Sequence, residues 1–316
     1  MLAKMMMLAL AMASAGSSGS ASSAAGDGAV AQDDATSPPY WAFPVPSTPV
    51  TALTAAQEAA LFEAVDLHPD AHPAMPDFVA HGRKPELYAC AYCHLPNGLG
   101  RPENASLAGL PADYIERQVA DFRSGMRRGS QDARLPPKLM IHVAQAASTD
   151  EVRAAAAYYS KLPRLAWIRV VETQAVPSTQ FSGWMLVPSA SGGTEPIGER
   201  IIETPEDPER TRARDDTHGF IAWVPPGSIA KGAELVRTGA GGRSFQCTAC
   251  HGPQLRGMGS APPLSGRSPS YIVRQLYDFQ HGGRGGVNAQ LMKTVVAQLT
   301  PADCVALAAY VASLPP

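Results

Sequence analysis

Long apolar runs are nearly absent from this chain. Beyond the first fifteen residues no stretch approaches the ~18 apolar residues that a membrane-crossing helix needs, so the mature protein is expected to be soluble and to meet a membrane only through partners. Charge of one sign is not in excess either. The 26 Lys and Arg against 28 Asp and Glu leave a net charge of −2, which excludes the basic footprint of a nucleic-acid-binding protein. No acid, base or nucleophile stands out in a pattern that would turn over a substrate. Cysteine is scarce: there are five in 316 residues, and four of them fall in two short pairs. The fifth, Cys304, sits on an expected helix among Val305, Ala306 and Ala308 and reads as a small buried apolar residue. Proline (29) and glycine (28) are abundant, as suits a chain with much loop.

The two pairs are Cys90-Ala91-Tyr92-Cys93-His94 and Cys247-Thr248-Ala249-Cys250-His251. Cys-x-x-Cys-His is the attachment signature of c-type haem. Two thiols one helical turn apart add across the two porphyrin vinyl groups, and the next residue, His, becomes the proximal iron ligand. The pairs are embedded in a longer repeat. An offset of 157 carries Leu107 onto Leu264, Gly109 onto Gly266, Tyr114 onto Tyr271, Gln118 onto Gln275, Asp121 onto Asp278 and Arg127 onto Arg284. The first copy then has five extra residues, and an offset of 152 carries Met140 onto Met292, Tyr158 onto Tyr310 and Leu162-Pro163 onto Leu314-Pro315. A duplicated unit that includes the attachment site is a duplicated haem domain. Zinc ribbons place such pairs closer together, thioredoxin-type motifs need a preceding strand, and a plain disulfide needs no His in either copy.

The N-terminus supports export. Lys4 is the only charge before Asp27, Met5–Ala13 is a short apolar run, and Ala13-Ser14-Ala15 is a small-x-small cleavage pattern. Residues 1–15 are therefore expected to be a signal peptide and 16–50 a flexible segment. A first cytochrome c domain is expected over 51–163, an extended connecting segment over 164–225 and a second cytochrome c domain over 226–316.

Helices are expected over Thr54–Leu67, Asp113–Ser124 and Thr149–Lys161 in the first domain. In the second they are expected over Ile229–Arg237 with Ser228 as cap, from Ser270 to Gln280, and from Thr300-Pro301 to the end. The connecting segment lacks helical periodicity, has β-like runs near Trp167–Val171 and Gly198–Glu203, and reads as an ordered clamp because Trp167, Trp184 and Trp223 need burial. The fold class is thus mainly α: two tandem helical haem domains joined by an extended, partly β-like segment.

The sixth iron ligand decides between electron transfer and chemistry at iron. Met140 and Met292 are aligned by the repeat, 46 and 41 residues after the two histidines, whereas Met126 and Met258 have Gly283 and Arg101 as counterparts. His142, two residues from Met140, is a rival at the first site, with Thr294 as its counterpart. The expected cofactor set is two covalently bound haem c groups. Cys90, Cys93, Cys247 and Cys250 attach them, and His94, Met140, His251 and Met292 are the iron ligands.

These motifs resemble the dihaem cytochrome c4 family over both haem domains. The likeness is carried by Cys90–His94 with Leu107-Ala108-Gly109, Tyr114 and Gln118, and by Cys247–His251 with Pro262-Pro263-Leu264-Ser265-Gly266, Tyr271 and Gln275. The late Met140 and Met292, each followed by an Ala-rich helix, complete it. The resemblance implies a periplasmic electron carrier whose two His/Met haems face each other across a pseudo-twofold axis. Its partners would be periplasmic or membrane-bound redox proteins. The sequence departs from the family in having Ala105 where Pro262 stands in the second copy, and in the length of its middle segment. A cytochrome subunit of a dehydrogenase complex stays open. So do a dihaem enzyme of the peroxidase or thiosulfate-oxidising type and a haem-based sensor, both of which need an open iron site.

Overall fold

The structure, a computed structural model, describes residues 53–130 and 134–316; the expected signal peptide and the segment 16–50 lie outside them. The first domain contains α1 (Ala55–Ala60), α2 (Asp77–His81), α3 (Cys90–His94), α4 (Ala112–Arg123), α5 (Leu135–Ala146) and α6 (Thr149–Lys161). α1 is shorter than the helix expected to reach Leu67. A capping box of Thr54 and Gln57 starts it. Its continuation is taken over by tertiary bonds: the Ala64 amide donates to the Ala80 carbonyl (2.7 Å) and the Leu61 carbonyl accepts from the Ala89 amide (2.9 Å). α6 falls on the expected residues, closed at its start by the Ser148–Glu151 capping box. α5 was not foreseen. Its Pro136-Pro137 pair sits in the first turn, where a missing N–H costs no intrahelical bond.

The middle segment is an ordered set of short strands. They are β1 (Ile168–Glu172), β2 (Ala175–Pro177), β3 (Thr179–Ser182), β4 (Met185–Pro188), β5 (Thr194–Pro196), β6 (Ile202–Pro205) and β7 (Phe220–Val224), with α7 (Pro208–Arg212) between the last two. β7 is central in a three-stranded sheet. It pairs parallel with β1 (Ile168 opposite Phe220) and antiparallel with β6 (Ile202 opposite Trp223). β2–β5 and β3–β4 form two antiparallel ribbons. Of the three tryptophans expected to be buried, Trp167 is, while Trp184 and Trp223 are half-buried. Trp167 Nε1 donates to the Gly100 carbonyl (3.0 Å), and Trp223 Nε1 donates to Thr204 Oγ1 (3.1 Å).

The second domain contains α8 (Ser228–Thr238), α9 (Thr248–His251), α10 (Pro269–Gln280), α11 (Ala289–Val296) and α12 (Pro301–Ser313). Ser228 lies inside α8, and the N-cap position is Gly227, whose φ of +80° favours glycine. By the repeat offset α8 corresponds to residues 71–81, so its first-domain partner is α2 and not α1. α8 crosses α12 so closely that a Cβ on Gly232 would lie 2.1 Å from the Ala306 carbonyl oxygen. Around this crossing Leu235, Val236, Cys304, Leu307 and Val311 form the second core, while Ile115, Tyr159, Leu162 and Trp167 belong to the first. Cys304 is buried as expected, and burial pushes its thiol up to about 12. Among the described residues no single helix is long and apolar enough to cross a membrane.

Candidate functional site

Each Cys-x-x-Cys-His run folds as one short helical turn that ends in a positive-φ residue, Leu95 at +66° after α3 and Gly252 at +73° after α9. The chain then loops back identically in both copies. The Gly100 amide donates to the His94 carbonyl (3.1 Å) and the Gly257 amide to the His251 carbonyl (2.8 Å). The Leu107 amide donates to Gly98 O (2.7 Å) and the Leu264 amide to Leu255 O (2.8 Å). These loops bring a backbone carbonyl to each imidazole: His94 Nδ1–H donates to Ala105 O (2.8 Å) and His251 Nδ1–H to Pro262 O (2.9 Å). The substitution of Ala105 for proline therefore leaves the orientation of His94 unchanged, because the acceptor is main chain. With Nδ1 donating, Nε2 carries the lone pair that a metal takes. Burial holds both imidazoles below the usual histidine range, which keeps them neutral.

Two cavities flank these helices. The first, about 180 Å³, is lined by Cys90, Cys93, His94, Met140, Ile115, Val119 and Tyr159, among others. The second, about 250 Å³, is lined by Cys247, Cys250, His251, Met292, Leu276, Leu307 and Val311, among others. Each cavity thus holds two thiols, one neutral imidazole and one thioether within a mostly apolar wall. That donor set fits covalent haem: the thiols could bond the vinyl groups, and the imidazole and the thioether are donors that could hold the iron. Burial raises the Cys90 thiol to about 12 and the Cys93 thiol to about 11.

Met140 on α5 and Met292 on α11 line the cavities, whereas Met126 and Met258 are 47% and 54% exposed and line neither. His142 is exposed, does not line the first cavity, and lies against the Tyr88 ring, centroids 4.8 Å apart.

The two cavities share a wall. Leu110, Tyr114, Gln118, Tyr271 and Gln275 line both. Across that wall the repeats exchange hydrogen bonds reciprocally. Arg127 donates to Tyr271 Oη, Gln275 Oε1 and Gln118 Oε1, each at 2.8 Å. Arg284 donates to Tyr114 Oη (2.6 Å), Gln118 Oε1 (2.9 Å) and Gln275 Oε1 (3.0 Å). Arg127 and Arg284 also pair main chain to main chain as an antiparallel bridge. The exchange defines an approximate twofold, and the long middle segment does not separate the domains. Sequence comparison retained both arginines without revealing their part at this junction. Glu103, whose repeat counterpart is Ser260, and Arg134 also line the first cavity and left no signal, while Trp184, which joins them, was marked by sequence only as needing burial.

Fold and site together define a c-type cytochrome. A cytochrome c family model matches residues 229–315. Cytochrome c-554(548) of Halomonas halodenitrificans is 35% identical over 76 residues, which span 24% of this chain and 86% of that protein. The chain belongs to the cytochrome c family, and covalently bound haem c comes with that membership. Over both domains it is similar to the thiosulfate dehydrogenase electron acceptor of Thiomonas intermedia (strain K12), 29% identical over 234 residues, 73% of this chain and 81% of that protein. It is also similar to cytochrome c4 of Stutzerimonas stutzeri, 28% identical over 139 residues, 40% of this chain and 66% of that protein.

Proposed function

We propose that the protein is a periplasmic dihaem electron carrier that accepts electrons from a dehydrogenase, with a thiosulfate dehydrogenase as the foremost donor. The observation that carries this reading is the pair of repeat-related cavities, each with two cysteines, a histidine and a methionine, meeting at one shared wall. Covalent haem c would supply a one-electron ferric–ferrous couple at each site, enough for the two sites to take up both electrons of a two-electron donor. Cys90 and Cys93 hold the first group, Cys247 and Cys250 the second. His94 and His251 present Nε2 because their Nδ1–H groups donate to the Ala105 and Pro262 carbonyls. Met140 and Met292 would supply the second iron ligand at each site, and a thioether there would favour the ferrous state relative to an oxygen or nitrogen donor. Tyr114, Gln118, Tyr271 and Gln275, braced by the two arginines, keep the centres at fixed separation. The donor assignment rests on the relatives named as thiosulfate dehydrogenase electron acceptors, and export rests on the apolar run and cleavage pattern at the N-terminus.

Absorption spectra in both redox states, with carbon monoxide added to the reduced form, test the ligation. Both centres should be low-spin and six-coordinate, with the weak near-infrared band of methionine-ligated ferric haem, and should bind carbon monoxide poorly. Rapid stoichiometric binding at one centre would overturn the carrier reading in favour of an enzyme or a sensor. Mixing the oxidised protein with thiosulfate dehydrogenase and thiosulfate should reduce it within the enzyme's turnover time. Failure there would remove the donor and leave the carrier.

A further inference from the structure

The two haem centres are sheathed unequally. In the first domain the middle segment and α1 cover the attachment face. The turn between β3 and β4 carries Trp184 onto the cavity wall, where it joins Leu61, Phe62, Tyr88 and Leu139 in one apolar cluster. Arg214 lies over the Tyr92 ring, 3.6 Å from its centroid, and its guanidinium donates to the Tyr92 carbonyl inside the attachment turn. Asn97 Nδ2 donates to the Asp216 carbonyl (2.7 Å). The second domain has no such cover among the described residues. The repeat makes the contrast quantitative: Tyr88 is 7% exposed, whereas its counterpart Phe245 is 62% exposed. Leu139 is half-buried, and its counterpart Leu291 is 73% exposed.

Phe245 and Leu291 line the second cavity from its exposed rim. Two further exposed apolar side chains flank rim residues. Val287, 92% exposed, precedes Asn288, and Met258 lies two residues before Ser260. The charge that the second domain itself sets around this rim is almost all positive; the first domain adds one carboxylate, Asp121, which lines the cavity beside Gly286 and has Arg127 and Arg284 near it. Between Leu235 and Ala302 the only carboxylate is Asp278, and it faces the domain junction, where Oδ1 accepts from the Ser130 amide (2.8 Å). Arg256 and Lys293, each two residues from a rim side chain, form no ion pair among the described residues. Residues 226–316 carry eight Lys and Arg against three Asp and Glu, net +5, while residues 1–225 carry 18 against 25, net −7.

We infer that this apolar, positively flanked rim of the second domain is the docking face for the protein's electron partner, an acidic redox protein with an apolar contact patch, and that the sheathed first centre exchanges electrons through the second. Apolar contact brings the edges together, and the charge asymmetry orients the encounter. The inference rests on the carrier reading above.

Stopped-flow electron exchange with a plastocyanin of acidic surface tests it, with a basic mitochondrial cytochrome c as the opposite-charge probe and ferricyanide as a small reagent that needs no docking. The wild type should react faster with plastocyanin than with the basic protein, and the plastocyanin rate should fall as salt screens the charges. Val287→Glu/Met258→Glu touches neither cavity and should slow the plastocyanin reaction at least about fivefold, a loss typical of reversed charge at a docking rim, with the ferricyanide rate and the absorption spectrum unchanged. Phe245→Glu should slow it further, and Leu67→Glu, at an exposed apolar position of the first domain, should not. An unchanged plastocyanin rate in the double variant, equal slowing by Leu67→Glu, or a faster reaction with the basic probe would overturn the inference. A wild type that fails to react even with ferricyanide would instead overturn the carrier reading beneath it.

Discussion

Gly232→Ala should destabilise the second domain and disturb its haem. The added methyl carbon would lie 2.1 Å from the Ala306 carbonyl oxygen and 2.5 Å from Tyr310 Cβ. Carbon atoms pack at about 3.5–4.0 Å, so α8 and α12 must separate by about 1 Å. Trimming the side chains at 306 or 310 cannot relieve this, because the clashing atoms are a backbone oxygen and a Cβ. Overpacking of this kind costs about 1–3 kcal/mol. The higher helix propensity of alanine returns up to about 1 kcal/mol, leaving a net loss of about 1–2 kcal/mol. At about 2–4 °C per kcal/mol for a protein of this size, the midpoint should fall by about 2–8 °C. The crossing also shapes the second cavity, since Leu235 and Val236 of α8 and Leu307 and Val311 of α12 line it. Thermal unfolding followed in the Soret band should therefore show the loss, with the native spectrum of the second centre shifted and that of the first retained. An unchanged or raised midpoint would refute the close crossing.

Met292→Ala and Met140→Ala should each remove half of the near-infrared methionine band and lower the potential of their own centre, while Met258→Ala and Met126→Ala leave both intact; potentiometry with spectral readout decides, and loss of a ligand on His142→Ala would move the first assignment to His142. Arg127→Met with Arg284→Met removes six hydrogen bonds at the shared wall, a loss of about 3 kcal/mol or more that calorimetry should report as one transition splitting into two. Asp303 is pushed up by burial but held at about 2 by hydrogen bonds from Arg243, Thr300 and Lys231. Its folded value lies below the unfolded value of about 3.9, so its contribution is present above pH ~4 and lost as pH falls through about 2. Asp303→Asn should flatten the acid limb of the stability curve over that window, and an unchanged limb would count against the cluster.

The chemistry of the site was legible because it is local and repeated. Cys-x-x-Cys-His is a one-turn motif, and duplication selected Met140 and Met292 from eleven methionines without any knowledge of their helices. α6 and α12 were readable from their capping boxes. α5 was not, since its Pro-Pro start masks a helix that the first cavity needs. Periodicity extends α1 to Leu67, but tertiary bonds that periodicity does not register end it at Ala60. The middle segment showed only two of its seven strands. Their partners are distant in sequence, and β2, β3 and β5 have few residues on which alternation could register. The Trp184 cover and the reciprocal arginines were hidden for the same reason, as both are contacts between elements and not patterns within one.

Intact-mass measurement of the purified protein tests the central claim most directly. The account predicts the mature chain plus two haem masses, with both groups retained through acid–acetone extraction. A mass carrying one haem, or none, would contradict it.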